Sequence, residues 1–259
     1  MSLFTTTLLG ILQGLTEFLP ISSSAHLVFA EQLLELTANL RLSYTAFLHL
    51  GTTLALLIFF GKRIIQIIGS IFSPNIVQRQ TNQLLLLYII IGSIPAVLLG
   101  LLFKDKIELT FAQPVYPAIF LIFTGLLLLA TRLFKERNMK IDQRIALIIG
   151  IAQAVALLPG ISRSGATIAT ALLLGISSFE AFEFSFLLSI PAVLGANILT
   201  FKDLSKVSIS IPAIVLGILI SALTGLVALI LLRQLVLKRK LFYFGIYCIA
   251  ISILALIIF

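Results

Sequence analysis

A chain of 259 residues that is 60% apolar and 11% charged, with a mean hydropathy of +1.18, is not a water-soluble domain; this composition belongs to a protein that crosses a membrane many times. The net charge of +8 would suggest nucleic acid in a soluble chain, but the basic residues lie between long apolar runs, where the positive-inside rule puts them, so no nucleic-acid partner is expected. The single cysteine, Cys248, excludes an intrachain disulfide, a cysteine-based metal centre and a redox couple within the chain.

The first apolar segment, 3–36, has no basic residues before it and reads as retained, not as a cleaved leader. It is broken at Pro20 and resumes after a serine-rich turn. Full spans are predicted near 43–61, 84–103 and 115–133, followed by a second broken segment at 145–175, interrupted at Pro159-Gly160. Further spans are predicted near 180–200, 211–232 and 241–259. The unbroken runs suffice for a hydrocarbon core of roughly 30 Å, whereas the arms of about 14 residues around the second break reach only about 21 Å as helix. The predicted fold is an all-α polytopic membrane protein with six full transmembrane helices plus two re-entrant helix hairpins.

Loop charge tests that count. The strongly basic groups are Lys62, Arg63 and Arg79, then Arg132, Lys135, Arg137, Lys140 and Arg144 (with Glu136 and Asp142), then Arg233, Lys238, Arg239 and Lys240. Placing them in the cytoplasm leaves the self-cancelling Lys104, Asp105, Lys106, Glu108 loop and the weak Lys202, Asp203, Lys206 loop outside, and makes 145–175 return to its own side. The two broken segments also match at an offset of 140: Gly10-Ile11-x-Gln13 with Gly150-Ile151-x-Gln153, and Ile21-Ser22-x-Ser24 with Ile161-Ser162-x-Ser164. Three intervening spans reverse orientation, so one membrane domain, 1–259, is expected to hold two inverted-topology repeats, about 1–140 and about 141–259, with hairpins meeting near the midplane. The similarity of Ser93-Ile-Pro-Ala-Val-Leu98 to Ser189-Ile-Pro-Ala-Val-Leu194 is out of that register and reads as shared helix-kink composition.

Of all the charged residues, Glu17 and Arg163 fall well inside apolar segments, one in each break. A central charge costs about 2.5–3.5 kcal/mol even on lenient insertion scales, so each must face protein, water or a ligand. Gln13 and Glu17 share a helical face at i, i+4, where an amide and a carboxylate converge on one cation or water. Beyond Pro20 come Ser22, Ser23 and Ser24, then His26 a turn into the next helix. In the second break, Gly160 and Gly165 admit close backbone approach, Ser162 or Ser164 can cap the following helix, and Arg163 offers a planar fork suited to two phosphate oxygens. A structural ion pair tying the hairpins together is the plain alternative for Glu17 and Arg163, and the surrounding hydroxyls argue against it. His49 and Asn197 are weaker cavity-lining candidates, with helix packing an equally good explanation, and Glu180 and Glu183 read as helix-dipole placements. The aromatics near span ends, Phe242 and Tyr243 among them, read as an interfacial belt.

At these residues the chain resembles the BacA/UppP family of undecaprenyl-pyrophosphate phosphatases, the bacitracin-resistance proteins. The family's first motif is met by Gln13, Glu17, Pro20, Ser22, Ser23, Ser24 and His26, its second, Pro-Gly-x-Ser-Arg-Ser-x-x-Thr, by Pro159, Gly160, Ser162, Arg163, Ser164 and Thr167, and the likeness continues through Glu183–Pro191. One departure is Cys248, where many members carry arginine after Ile-Tyr; in sequence it is remote from both motifs.

The resemblance implies hydrolysis of a polyprenyl pyrophosphate lipid, undecaprenyl pyrophosphate, to the monophosphate and inorganic phosphate. It implies catalysis through Glu17, His26, Ser23 and Arg163, phosphate binding by Arg163, Ser162, Ser164, Thr167, Ser22 and Ser24, and a divalent cation, Mg2+ or Ca2+, at Glu17 and Gln13. Two routes stay open: attack by Ser23 with His26 as base, or attack by water or His26 with Glu17 orienting it. The implied location is the bacterial plasma (inner) membrane with the active site open to the extracytoplasmic side; a homodimer is one assembly open to such a chain. The rival from another class is a lipid-carrier flippase or small-anion transporter, since inverted repeats with broken helices at the midplane are also a transporter signature.

Overall fold

The computed structural model describes residues 3–35, 38–71, 73–137, 139–201 and 210–259; the loop with Lys202, Asp203 and Lys206 lies outside them. The arms of the first break are α1 (Leu3–Phe18) and α2 (Ser23–Leu33). They are followed by α3 (Ala38–Ser70), α4 (Ile76–Leu102), the short α5 (Lys104–Phe111) and α6 (Val115–Ala130), which ends in a 3-10 turn, Thr131–Leu133. The second break separates α7 (Gln143–Val155) from α8 (Arg163–Leu173), and α9 (Ser178–Phe201), α10 (Ile211–Leu237) and α11 (Phe242–Ile258) complete the chain. Among the described residues every regular element is a helix.

Five stretches are long and apolar enough to cross a membrane: Tyr44–Ser70, Ile76–Leu102, Val115–Leu133, Ser178–Ile198 and Ile211–Leu237. Each coincides with a span expected from sequence. The sixth expected span is α11, 17 residues of apolar helix and the shortest of the set. Large side chains such as Ile65, Ile90, Leu101, Leu223 and Val227 stand exposed along these helices, an outer surface suited to hydrocarbon and not to water.

Two helices outrun their apolar stretches. α3 continues through Lys62 and Arg63 to Ser70, and α4 starts at Ile76, where Asn75 Oδ1 accepts the Gln78 N–H at 3.2 Å, so Arg79 is helical as well. The basic residues expected in a loop are therefore on helix ends: no breaker intervenes before Ser73-Pro74-Asn75, and long basic side chains reach water from helical positions. Arg63 instead turns inward. Its Nε donates to Glu183 Oε1 at 2.6 Å and its Nη1 to Asn82 Oδ1 at 3.4 Å, tying α3, α4 and α9 together. Glu183 is thus an ion-pair partner, while Glu180 accepts from the Ser177 hydroxyl at 2.9 Å beside the start of α9.

Both breaks have local causes. Proline lacks an N–H and its ring clashes with the preceding turn, so α1 stops before Pro20. Ser22 then adopts φ +67° and caps α2 by accepting the Ala25 N–H at 3.4 Å. In the second break Gly160 has φ +102°, and a Cβ there would lie 2.2 Å from Pro117 O, so both conformation and space require glycine. Ser162 caps α8 by accepting the Gly165 N–H at 3.2 Å. The arms hold 16, 11, 13 and 11 residues. At roughly 1.5 Å per residue none reaches across a core of about 30 Å.

Packing against the long helices holds the arms in place. α1 lies against α10 and α7 against α4, each through glycine. A Cβ on Gly14 would stand 2.6 Å from Ser221 O, and one on Gly150 would stand 2.2 Å from Gly92 O. In lipid, where apolar surface gains nothing by leaving its solvent, such close backbone approach supplies the contact energy. Between α1, α3 and α9 sits an aromatic cluster, with Phe186 5.9 Å from Phe18, 5.8 Å from Phe60 and 4.8 Å from Phe182 between ring centroids. Phe18, the residue after Glu17, anchors this cluster to the end of α1.

Candidate active site

Glu17 closes the last turn of α1, and Arg163 opens α8. The two breaks bring them together: Arg163 Nη2 donates to Glu17 Oε1 at 2.7 Å. The other carboxylate oxygen, Oε2, accepts the Ser23 hydroxyl at 2.7 Å and Gln13 Nε2 at 3.1 Å. Gln13 also donates through Nε2 to His49 Nδ1 at 3.0 Å, and His49 Nδ1 lies 3.6 Å from Glu17 Oε2. Thus α1, α2, α3 and α8 each contribute a side chain to one polar cluster. The Glu17 side chain is 9% exposed and that of Arg163 16%, whereas His49 is 34% exposed and marks the open side.

Two groups in this cluster have unused hydrogen-bonding capacity. Arg163 Nη1 and Gln13 Oε1 are both buried without a partner among the described residues. A buried guanidinium nitrogen and a buried amide oxygen left unbonded are costly in a finished core and are natural places for a ligand to bind.

The serines divide by position. Ser23 faces Glu17, whereas Ser22 and Ser24 bond to each other at 3.0 Å and both accept the Gly160 N–H, at 3.2 and 3.3 Å. These two hydroxyls latch the first break onto the second. Thr124 on α6 strengthens the latch from behind, donating to Gly160 O at 2.8 Å and accepting the Ser162 N–H at 3.0 Å. Ser162 and Ser164 hydroxyls lie 3.3 Å apart. Thr167 donates to Arg163 O at 2.8 Å and also bonds Ser185 of α9, which fixes the start of α8 where the arginine emerges.

His26 points away from the carboxylate. Its Nδ1 lies 2.9 Å from Ser22 O, and since a carbonyl only accepts, Nδ1–H donates; in a neutral ring Nε2 then accepts the Tyr247 hydroxyl at 2.8 Å. The two rings are stacked, 5.7 Å apart and 5° from parallel. Cys248, remote in sequence from both motifs, is not remote in space: its buried thiol approaches Pro20 O at 3.6 Å, so α11 backs the first break through adjacent residues. Two participants were not marked by the sequence as part of the site: Thr124 and Tyr247 reach it from distant helices with no local motif. The buried Glu31, which accepts from Thr45 at 2.9 Å, sits two turns along α2 from the break. Asn197 donates to Thr53 at 2.8 Å, a link between α9 and α3 that does not touch Glu17.

Known proteins are similar to this chain over nearly its whole length. Proteins named undecaprenyl-diphosphatase from Methanobrevibacter smithii, Methanococcus vannielii and Geotalea daltonii are 38%, 40% and 40% identical to it, covering 98%, 95% and 99% of this chain and 96%, 96% and 98% of their own. The family model of the bacitracin resistance protein BacA matches residues 6–254. With both motifs gathered at one buried cluster and the match running nearly end to end, the chain belongs to the BacA family of bacitracin resistance proteins.

Proposed function

We propose that this protein is a multi-pass membrane phosphatase that hydrolyses undecaprenyl pyrophosphate to undecaprenyl phosphate and inorganic phosphate. This recycles the lipid carrier for peptidoglycan and other cell-wall polymers and counters bacitracin. The observation that carries the reading is the chain of contacts from the Ser23 hydroxyl through Glu17 to Arg163, which joins a hydroxyl, its proton acceptor and an anion-binding fork across the two breaks.

In this reading the pyrophosphate lies at the α8 N-terminus, where the first amides of a helix have no intrahelical partner, and against the unpaired Nη1 of Arg163. Ser162 and Ser164 line that end, Thr167 holds the backbone that carries Arg163, and Ser22 and Ser24 keep the two breaks in register. The Ser23 O–H bond breaks, its proton passes to Glu17 Oε2, and Oγ bonds the terminal phosphorus as the bridging P–O bond breaks and undecaprenyl phosphate leaves. Water then cleaves the phosphoserine, and the proton returns to Ser23. A carboxylate paired with arginine is a weak base, but phosphoryl transfer has a loose transition state in which positioning and charge neutralisation matter more than proton abstraction. His26, held by Ser22 O and Tyr247, orients the turn that carries Ser23.

A divalent cation fits beside Glu17: with the Gln13 amide turned so that its buried, unpartnered Oε1 replaces Nε2, that oxygen and Glu17 Oε2 would hold it. Bound there, Mg2+ or Ca2+ supplies positive charge against the pyrophosphate oxygens. The packing of α1 on α10 and of α7 on α4 supports two inverted repeats, about 1–140 and about 141–259, whose broken arms enter from opposite faces, with α11 as the sixth span. The first break then opens to the extracytoplasmic side of the plasma membrane, and the polyprenyl tail enters laterally from lipid.

The test is phosphate release by purified protein from detergent-solubilised undecaprenyl pyrophosphate, combined with trapping of the phosphoenzyme. An acid-stable adduct on Ser23 is expected; an acid-labile one assigns attack to histidine, and none assigns it to water. Translocation of the lipid without phosphate release would make the protein a flippase instead.

A further inference from the structure

We infer that His49 completes a three-residue cation site with Gln13 and Glu17, so the metal is held by a nitrogen ligand as well as by oxygens. Gln13 Nε2 lies 3.1 Å from Glu17 Oε2 and 3.0 Å from His49 Nδ1, and those two atoms are 3.6 Å apart. One amide nitrogen thus sends both its hydrogens toward two Lewis bases, much as a small cation would bridge them. The amide oxygen of the same side chain, in a residue with no exposed surface, has no partner among the described residues. Turning the amide about its last bond exchanges Nε2 for Oε1 and leaves three acceptors facing one another at the same spacing. Neighbouring ligands of an octahedral cation with bonds of 2.0–2.1 Å are separated by roughly 3.0 Å, close to the spacing found here.

Arg163 occupies the opposite carboxylate oxygen, and turning the Gln13 amide removes its hydrogen bond to Oε2, so that oxygen keeps the Ser23 hydroxyl on one lone pair and offers the other to the metal. His49 is fixed on α3, where the Thr52 and Thr53 hydroxyls donate to its carbonyl oxygen at 3.0 and 2.7 Å. Its 34% exposure, against 9% for Glu17, leaves the imidazole as the more accessible ligand of the site. The phosphatase reading is needed only for the phosphate oxygens that complete the coordination. Metal binding is therefore measured without substrate, and its failure is distinguishable from failure of phosphate release.

The chain has two histidines, and the experiment exploits this. Untagged protein in detergent is loaded with Mn2+ and its pulsed electron paramagnetic resonance spectrum is searched for imidazole 14N coupling. The coupling is expected in the native protein and in His26→Gln. In His49→Gln it is expected to vanish, with Mn2+ affinity weakened on the order of tenfold. Absence of coupling in the native protein, its survival in His49→Gln, or its loss in His26→Gln alone would overturn the assignment. The native protein and His26→Gln decide the matter even if His49→Gln does not fold.

Discussion

The first broken helix pair, α1 and α2, and the second, α7 and α8, share a backbone plan and divide the chemistry. Each has a proline-interrupted turn, a serine cap and a glycine contact onto a long helix: Gly10 against α10, Gly150 against α4. Yet the first carries the buried carboxylate, the Ser23 hydroxyl bonded to it and a histidine, while the second carries arginine and a glycine-containing turn. The aligned glutamines make the contrast sharp. Gln13 bonds Glu17 and His49, whereas both amide atoms of the buried Gln153 lack partners among the described residues. Similar packing positions thus recur in the two breaks while the buried side chains differ, because the ion pair at their junction takes one acid and one cation, not two of each.

The largest test of that division is to remove its two charged halves separately. Glu17→Gln keeps size but loses the proton acceptor, and a fall in turnover of about 100- to 10,000-fold is expected in the phosphate-release assay. Arg163→Lys keeps charge but loses the fork, and a fall of about 100- to 1,000-fold is expected. Near-native rates in either would break the comparison. Next come the paired glycines. Gly150→Ala drives a methyl into Gly92 backbone and should cost about 1–3 kcal/mol, read as a lower thermal midpoint in detergent. Gly10→Ala meets the Ile220 side chain at 3.1 Å, which can yield, and should cost less.

A smaller effect separates the two glutamines. Gln153→Leu removes a buried amide that bonds nothing among the described residues and should leave activity intact while stabilising the fold by about 1 kcal/mol; Gln13→Leu should lower activity. Destabilisation by Gln153→Leu would show that its amide is satisfied in the membrane. Least of all, Tyr247→Phe removes one hydrogen bond to His26, worth about 0.5–1.5 kcal/mol, and should lower the melting point slightly while turnover falls only a few-fold.

Much of this was legible in the sequence because a bilayer makes local signals decisive. Apolar run length located the spans, proline and glycine located both breaks, and the cost of burying charge singled out Glu17 and Arg163, which do form an ion pair. Ser22 and Ser24 were recognised, but not as the latch on Gly160, since a hydroxyl near a break can equally well face a ligand or a backbone amide. Thr124 and Tyr247 gave no signal: a threonine within an apolar run and a tyrosine in the last helix reach the site through tertiary packing alone. The sequence hides α5 and the extended ends of α3 and α4 because charge ends the apolar stretch there without ending the helix. His49 stands in the sequence as a weaker cavity-lining candidate, with helix packing at least as good an explanation, and the fold brings it beside Gln13.

The Glu17–Arg163 pair spans 146 residues of chain. A ribosome adding roughly 5–20 residues per second needs about 7–30 s to travel that distance, and through that interval the carboxylate exists without its counter-charge. Burying an ion without its partner costs several kcal/mol, so the Glu17 carboxylate gains little from being buried before Arg163 is made. Its final seating waits for the second half of the molecule. A chain stopped before Arg163 would hold Glu17 with Ser23, Gln13 and His49 alone and would lack the one permanent cation bonded to its carboxylate.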